Sequence, residues 1–354
     1  MATAKIYCKV GDSKRKSVKS KIKDGTLVKV IQEVSGVNTV IAEGIVRIEG
    51  APPPPPPVCP PGQHLENGGC VPDVGPPPPP TGDVDKFGIK KSHQSTGREW
   101  FNSWDNGHAR KWGSNGTDKR NADPDDAECD LHCKKEERGI VTYADVDGNG
   151  ICELYGTTPR LYINDSTHVL RWLNVEMTVY FFIVKKLAAG GAYVACRLAG
   201  RSNHQNEYNC SASGTGYGAE TKNSDGTNQI RRENGHPAYS DNKVSNTKGV
   251  EAGKWIGKKL IVKTQPDGSV LVQHLRDLTD GANGGDWKIL VETIDRGDWP
   301  MTDTEDKKTY DGIKSCSEFK KVALNEPLKD PAVSCYLRID NNQVKFKWFS
   351  VREI

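Results

Sequence analysis

Residues 51–82 read APPPPPPVCPPGQHLENGGCVPDVGPPPPPTG. Proline lacks a backbone donor and fixes φ, so two such runs fit neither a helix nor the interior of a sheet. Polyproline instead forms an extended rod rising about 3.1 Å per residue, a semi-rigid spacer. The tract therefore divides the chain into a short N-terminal unit (1–50), a spacer (51–82) and a main domain (83–354). Between the proline runs, Cys59 and Cys70 are expected to pair around the turn residues Asn67, Gly68 and Gly69. A spacer of this kind suits a protein held at one end and reaching with the other.

The first unit contains four strand-like stretches, KIYCKVG, TLVKVIQEV, NTVIAEG and IVRIEG, separated by turn residues. Residues 1–50 hold ten Lys/Arg and five Asp/Glu, a charge of +5 that leaves −2 for the rest of the +3 total. Most of the excess lies in KRKSVKSKIK, which reads as a lysine-guarded sheet edge or as an anchoring patch for an anionic surface. A net charge of +3 is too small to imply a nucleic-acid protein. No apolar run approaches the roughly 20 residues of a membrane span. The opening MATAKIYCKVGDSKRKS has no apolar signal-peptide core. Ten cysteines point instead to disulfides and an oxidising location. A viral or phage particle component released by lysis reconciles the two, as does a chain whose leader has been removed; the expected location is extracellular or the virion surface.

The main domain is predicted to be all-β. In VLRWLNVEMTVYFFIVK, Leu173, Val175, Met177, Val179, Phe181 and Ile183 share one face. Trp172, Asn174, Glu176, Thr178, Tyr180 and Phe182 share the other, following the two-residue period of a strand. AYVACRLAGR sets Val194, Cys196 and Leu198 against Tyr193, Arg197 and Arg201. CYLRID sets Cys335, Leu337 and Ile339 against Tyr336, Arg338 and Asp340. Hairpins are expected at Pro266-Asp267-Gly268 and near Asp340-Asn341-Asn342, another strand at DWKILVETIDRG, and no helix. Many two-sided strands in about 270 residues predict two antiparallel sheets packed as a jelly-roll sandwich.

GREWFNSWDNGHARKW, TPRLYI, WLNVEMTVYFFIV, DLTDGANGGDWKILVETIDRG and VKFKWFSVREI together resemble the concanavalin A-like lectin/glucanase superfamily, over roughly residues 97–354. They resemble most its carbohydrate-associated archaeal and viral members. The resemblance implies a jelly roll whose concave sheet binds saccharide. Such a face needs rings to stack on sugars and planar polar groups for their hydroxyls, with cations if the polymer is anionic. Trp172, Glu176, Tyr180, Tyr193, Arg197, Arg201, Gln273, Tyr336 and Arg338 are the candidates for carbohydrate binding.

Catalysis is the alternative. Alginate-lyase-like members neutralise a uronate carboxylate with a cation or amide and move protons with a His/Tyr pair. Their pattern includes a Gln-x-His strand and a terminal Tyr-x-Lys strand. Here Tyr336 and Arg338 stand at a comparable place, but Gln273 and His274 are adjacent and point to opposite faces. The lyase candidates are His204, His236, His274, Tyr336, Arg197 and Arg338. Glucanase members carry Glu-x-Asp-x-x-Glu on one strand, and here Glu176 stands alone.

DVDGNGICE spaces Asp145, Asp147, Asn149 and Glu153 like part of a calcium loop, or like a tight hairpin turn. Its twelfth position is Gly156, where a calcium loop has Glu. Cys129, His132, Cys133 and Cys152 form a conceivable zinc set of no standard spacing. As disulfides, spacing suggests Cys196–Cys210, Cys316–Cys335 and two of Cys129, Cys133 and Cys152, leaving Cys8. Asn115, Asn164 and Asn209 sit in glycosylation sequons. Three functions follow: an adhesin binding a surface polysaccharide, a polysaccharide lyase acting on acidic glycan by β-elimination, and a structural surface or capsid protein.

Overall fold

The computed structural model describes residues 83–354 apart from 115–118, 134–139, 165–170, 188–192, 205–209, 224, 246–249 and 251–252. From residues 1–82 it describes the backbone of six strands, and the side chains of 114, 119–120, 133 and 241–244 lie outside the description. The chain divides into two compact units, Met1–Pro76 and Pro77–Ile354.

In the first unit β1 (Thr3–Cys8) pairs with β2 (Lys16–Lys21), and β3 (Leu27–Val34) with β4 (Val37–Ile45). The lysine-rich stretch is thus itself a strand. The predicted third strand, 38–44, is β4; of the predicted fourth, 45–50, only Ile45 lies within the described residues, at the end of β4. A third hairpin, β5 (Gln63–Glu66) with β6 (Gly69–Pro72), lies between the two proline runs. The expected Cys59–Cys70 bridge lies outside the described residues.

The second unit is all-β with two large antiparallel sheets, the jelly-roll sandwich that strand alternation predicts. Its strands are β7 (Glu99–Phe101), β8 (Arg110–Ser114), β9 (Lys119–Asp123), β10 (Asp126–Cys133), β11 (Thr142–Val146) and β12 (Cys152–Gly156). There follow β13 (Arg160–Ile163), β14 (Val175–Lys186), β15 (Val194–Ser202), β16 (Thr215–Lys222), β17 (Asn228–Gly235) and β18 (Ala238–Val244). Last come β19 (Ile256–Thr264), β20 (Val270–Asp277), β21 (Lys288–Asp295), β22 (Ser334–Asp340) and β23 (Asn342–Glu353). One sheet has eight strands in the order β18-β17-β16-β15-β22-β13-β10-β9. The other has nine, β21-β20-β19-β14-β23-β12-β11-β8, with β7 added beside β23.

The alternate apolar residues of both sheets meet in one core. Leu131, Leu161, Leu198 and Leu337 come from the eight-stranded sheet; Val175, Met177, Phe181, Val262 and Phe346 come from the nine-stranded one. Each such side chain, fully buried, contributes about 1.5–3 kcal/mol. The opposite alternates of the eight-stranded sheet therefore face away from the sandwich, and this is the face that matters below.

Several expectations need correction. The last two strands are not a hairpin. Asn341 alone, at φ 53°, turns the chain from β22 in one sheet to β23 in the other. A helix, α1 (Thr304–Gly312), forms where none was expected. Asp303 caps it by accepting from the Asp306 backbone N–H at 2.8 Å, and Glu305 and Asp306 lie in its first turn. Among the described residues the disulfide is Cys210–Cys316, not Cys196–Cys210 and Cys316–Cys335. Cys196 and Cys335 are core residues of the strands β15 and β22, and burial pushes both thiols up to about 12. Cys129 and Cys152 are likewise buried free thiols of the core.

Candidate functional site

Register across the eight-stranded sheet builds the site. His132 lies opposite Arg160, Arg160 opposite Arg338, Arg338 opposite Arg197, Arg197 opposite Glu220, and Glu220 opposite Gln229. Three arginines thus stand on neighbouring strands in one line. In the next outward row Tyr162 lies opposite Tyr336, Tyr336 opposite Ala199, Ala199 opposite Gly218, and Gly218 opposite Arg231. In the row beyond, Gly216 lies opposite Glu233 and Glu233 opposite Tyr239. Placing small residues at 199, 216 and 218 leaves a depression bordered by Arg197, Arg231, Glu233, Tyr239 and Tyr336.

Like charges directly opposite each other on a sheet are destabilising, so this row has compensating partners. Glu220 carries most of the load. Arg197 donates to it from Nε at 2.7 Å and also from Nη2, and Gln229 donates at 3.1 Å. Lys222 and Arg231 lie 3.7 and 3.8 Å from its carboxylate. Burial would raise the Glu220 pKa, but Arg197, Arg231 and Lys222 pull it down to about 2. Arg338 donates from Nε to Asp340 at 2.6 Å, while its buried Nη1 has no hydrogen-bond partner. The guanidinium of Arg231 lies 4.2 Å from the centre of the Tyr239 ring. The outward row therefore concentrates guanidinium groups on neighbouring strands, which suits the face to an anion.

Tyr336 is the hub. Its ring meets that of Tyr162 edge-on at 5.5 Å and that of His204 at 5.2 Å. His204 donates from Nε2 to Glu233 at 2.5 Å, and His236 donates from Nδ1 to the other Glu233 oxygen at 2.9 Å. Burial alone would raise the Glu233 pKa, but the two imidazoles hold its carboxyl well below the usual range. Tyr239 is pushed up, chiefly by burial and then by Glu233. His204, one of the lyase candidates, is 1% exposed.

The structure thus gathers Arg197, Tyr336, Arg338, His204 and His236 from among the expected residues. The others lie elsewhere. Trp172 is a core residue, donating from its indole N–H to the Ile163 carbonyl. Glu176, Tyr180 and Gln273 belong to the nine-stranded sheet, whose outer face lies on the far side of the sandwich. Glu176 is fully buried there, accepting from Ser92 and His93 backbone N–H groups, each at 3.0 Å, and from Lys259 Nζ at 2.7 Å. Arg352 Nη2 adds an ion pair at 2.8 Å. Tyr180 donates to Asp277 at 2.9 Å, and Gln273 donates to Glu292. Arg201, at φ 51°, leaves the alternation and clamps the Leu173 and Leu328 carbonyls at 2.8 and 2.7 Å. Burial lowers its pKa to about 10. Tyr193 precedes the bulge at 194–196, and its ring lies 5.4 Å from Lys186 Nζ of the other sheet.

His274 faces the interior beside Lys258, whose Nζ reaches across to Thr221 at 2.7 Å. Burial pushes the His274 pKa well below its ordinary value, which removes it as a base for any outside substrate. The calcium candidates form a hairpin turn between β11 and β12. The Asp147 carboxylate accepts from the Asn149 and Ile151 backbone at 2.8 and 3.0 Å. Asp145 pairs with Lys111, and Glu153 accepts from Gln343. Asp145 and Glu153 lie opposite each other across β11 and β12, while the Asp147 carboxylate is turned to the backbone of its own loop. The zinc set is split, since Cys129 and Cys152 point into the core while His132 lies on the outward row.

Sequence reading missed Arg160, Tyr162, Glu220, Arg231, Glu233 and Tyr239. The signal was alternation: RLYI sets Arg160 and Tyr162 against Leu161 and Ile163, and QIRRE separates Gln229, Arg231 and Glu233 from Ile230 and Arg232.

No family model and no curated protein matches the sequence. Solved structures match part of the chain. An alginate lyase from Aplysia kurodai is 10% identical, covering 61% of this chain and 87% of its own, at TM-score 0.34. A Bacillus subtilis protein of unknown function with a galectin-like fold is 10% identical, covering 69% and 98%, at 0.36. Domain 4 of an extracellular arabinanase from Geobacillus stearothermophilus is 9% identical, covering 69% and 82%, at 0.30. Scores and identities this low say nothing about what the chain does.

Proposed function

We propose that the outer face of the eight-stranded sheet binds an acidic polysaccharide, making the chain an extracellular or virion-surface adhesin. The observation that carries this is the guanidinium line Arg160–Arg338–Arg197, of which Arg338 is partly exposed, as are Arg231 and Tyr239, while Arg160, Arg197, Tyr162 and Tyr336 are buried. Guanidinium groups match carboxylates in a planar, bidentate fashion, and tyrosine rings offer stacking area with a polar tip. The central cavity, about 10 Å³, has room for about one water and not for a sugar ring. The saccharide therefore rests on the partly exposed rim of Arg231, Tyr239, His236 and Arg338, with its acidic groups directed at the cations. The cystine Cys210–Cys316 supports an oxidising location, and among the described residues no helix is long and apolar enough to cross a membrane. In this reading residues 1–50 anchor the protein and residues 51–82 space the sandwich from the anchor.

A lyase is the second reading, favoured by the contact of Tyr336 with the Glu233-held His204. Arg338 or Arg197 would neutralise a uronate carboxylate and so acidify the adjacent C–H. Tyr336 or His204 would take that proton, the C–O bond to the leaving sugar would break, and the leaving oxygen would regain a proton. Incubation with a panel of acidic polysaccharides separates the two readings. Retention on immobilised glycan without ultraviolet-absorbing unsaturated product supports the adhesin, and accumulation of that product establishes the lyase. Neither result with any acidic glycan overturns both.

A further inference from the structure

Glu233 is a buried carboxylate facing no lysine or arginine ion-pair partner among the described residues. Its two oxygens go one to each of two imidazoles. Elsewhere in the domain buried Glu176 is matched by Lys259 and Arg352, Glu220 by Arg197 and Asp295 by Arg232, while buried Asp85 and Asp277 accept from backbone N–H groups and hydroxyls. Glu233 differs in having only ligand-type nitrogens. The donor atoms of His204, Glu233 and His236 all lie within 4.8 Å of one another, and among the described residues no other His/Cys/Asp/Glu set does so.

The fold goes out of its way to assemble the trio. His204 follows β15 and Glu233 lies on β17, so β16 runs between them. At that crossing β16 presents Gly214, just before its start, and Gly216. A Cβ on Gly214 would fall 2.3 Å from His236 Cβ, and one on Gly216 would fall 3.2 Å from Ser202 Cβ. Bare backbone lets the two histidines reach the carboxylate from opposite sides. His204 and Glu233 are buried while His236 is a quarter exposed, which provides an entry path.

We propose that His204, Glu233 and His236 form a binding site for a divalent transition-metal ion of the zinc class. Two imidazoles and a carboxylate are a donor set for such ions, with open positions remaining for water or a ligand group. Zinc holds nitrogen and oxygen ligands at about 2.0–2.2 Å. Tetrahedral donors at that radius are about 3.3 Å apart, so the present hydrogen-bonded separations of 2.5 and 2.9 Å need only small outward shifts of the rings. The metal would replace two shared protons and take over the charge compensation that the two imidazoles give Glu233. This goes beyond the glycan reading and is tested without any saccharide.

The experiment is titration of the chelator-treated full chain with Zn²⁺ by calorimetry and with Co²⁺ by visible absorption. About one ion per chain is expected, with Co²⁺ bands of low-symmetry nitrogen and oxygen coordination. His236→Ala, at a partly exposed position, should keep the fold and weaken binding about tenfold or more. Gly214→Ala, which displaces His236 without removing a donor, should do the same. Absence of saturable binding to the wild-type chain overturns the site, as does wild-type affinity in both variants.

Discussion

Replacing Glu176 by Gln tests whether the outer face of the nine-stranded sheet is structural rather than ligand-binding. The carboxylate is fully buried and joins the segment at Ser92 and His93 to Lys259 of β19 and Arg352 of β23. Glutamine keeps the shape but removes the charge, leaving two buried cations without their counter-ion. Removing one partner from a buried ion pair costs about 3–5 kcal/mol. Each kcal/mol moves the melting temperature of a domain of this size by about 2–4 °C, so a fall of about 6–20 °C is expected. Burial opposes ionisation of Glu176, but Lys259, Arg352 and the hydrogen bonds outweigh it and lower its pKa. Its contribution is therefore complete above the unfolded value of about 4.3 and is lost as pH falls below it. Urea or thermal unfolding at pH 7 and pH 3 measures both effects. The variant should lose stability at pH 7 and differ less from wild type at pH 3, with glycan retention intact at temperatures where it is folded. A loss below about 1 kcal/mol at pH 7, or abolished retention with unchanged stability, refutes the structural assignment.

Glu220, pulled down to about 2, should act in the same direction: the difference in stability between wild type and Glu220→Gln should shrink as pH falls from about 5 towards 2. Peptide mapping should find Cys210 linked to Cys316, with Cys129, Cys152, Cys196 and Cys335 alkylated only after unfolding. Because that cystine closes a separation of 106 residues, its reduction should lower stability by about 2–4 kcal/mol, read from the shift in urea midpoint. Tyr336→Phe should leave glycan retention within a few-fold if the chain only binds, and should abolish product formation if it cleaves; a large loss of retention in the folded variant would show that the hydroxyl itself grips the sugar.

Period-two alternation made the sandwich legible, and it separated core from polar faces strand by strand. It does not say which sheet a strand joins. Glu176 and Arg197 both read as outward residues, yet β14 and β15 lie in different sheets, so their outward faces are on opposite sides of the molecule. That pairing is a long-range choice made by packing. Local irregularities hid the rest. The bulge at 194–196 removes Tyr193 from the row of Arg197, and the left-handed turn at Arg201 diverts that side chain to backbone carbonyls. Asn341 looked like part of a hairpin turn because a one-residue corner between sheets has the same composition. The helix at 304–312 has only one buried residue, Tyr310, so no apolar stripe announced it, although its Asp303 cap was visible. Cystine partners were drawn from sequence neighbours, whereas alternation already placed Cys196 and Cys335 among inward residues.

Retention of the sandwich on immobilised acidic polysaccharide, compared between wild type and a folded Arg231→Ala/Arg338→Ala chain, bears most directly on the arginine–tyrosine face. The account predicts salt-sensitive retention of the wild type and its reduction by about a hundredfold or more in the variant, as expected when two charge-assisted contacts worth about 1.5–3 kcal/mol each are lost. Equal retention of the two proteins, or none by either, would contradict it.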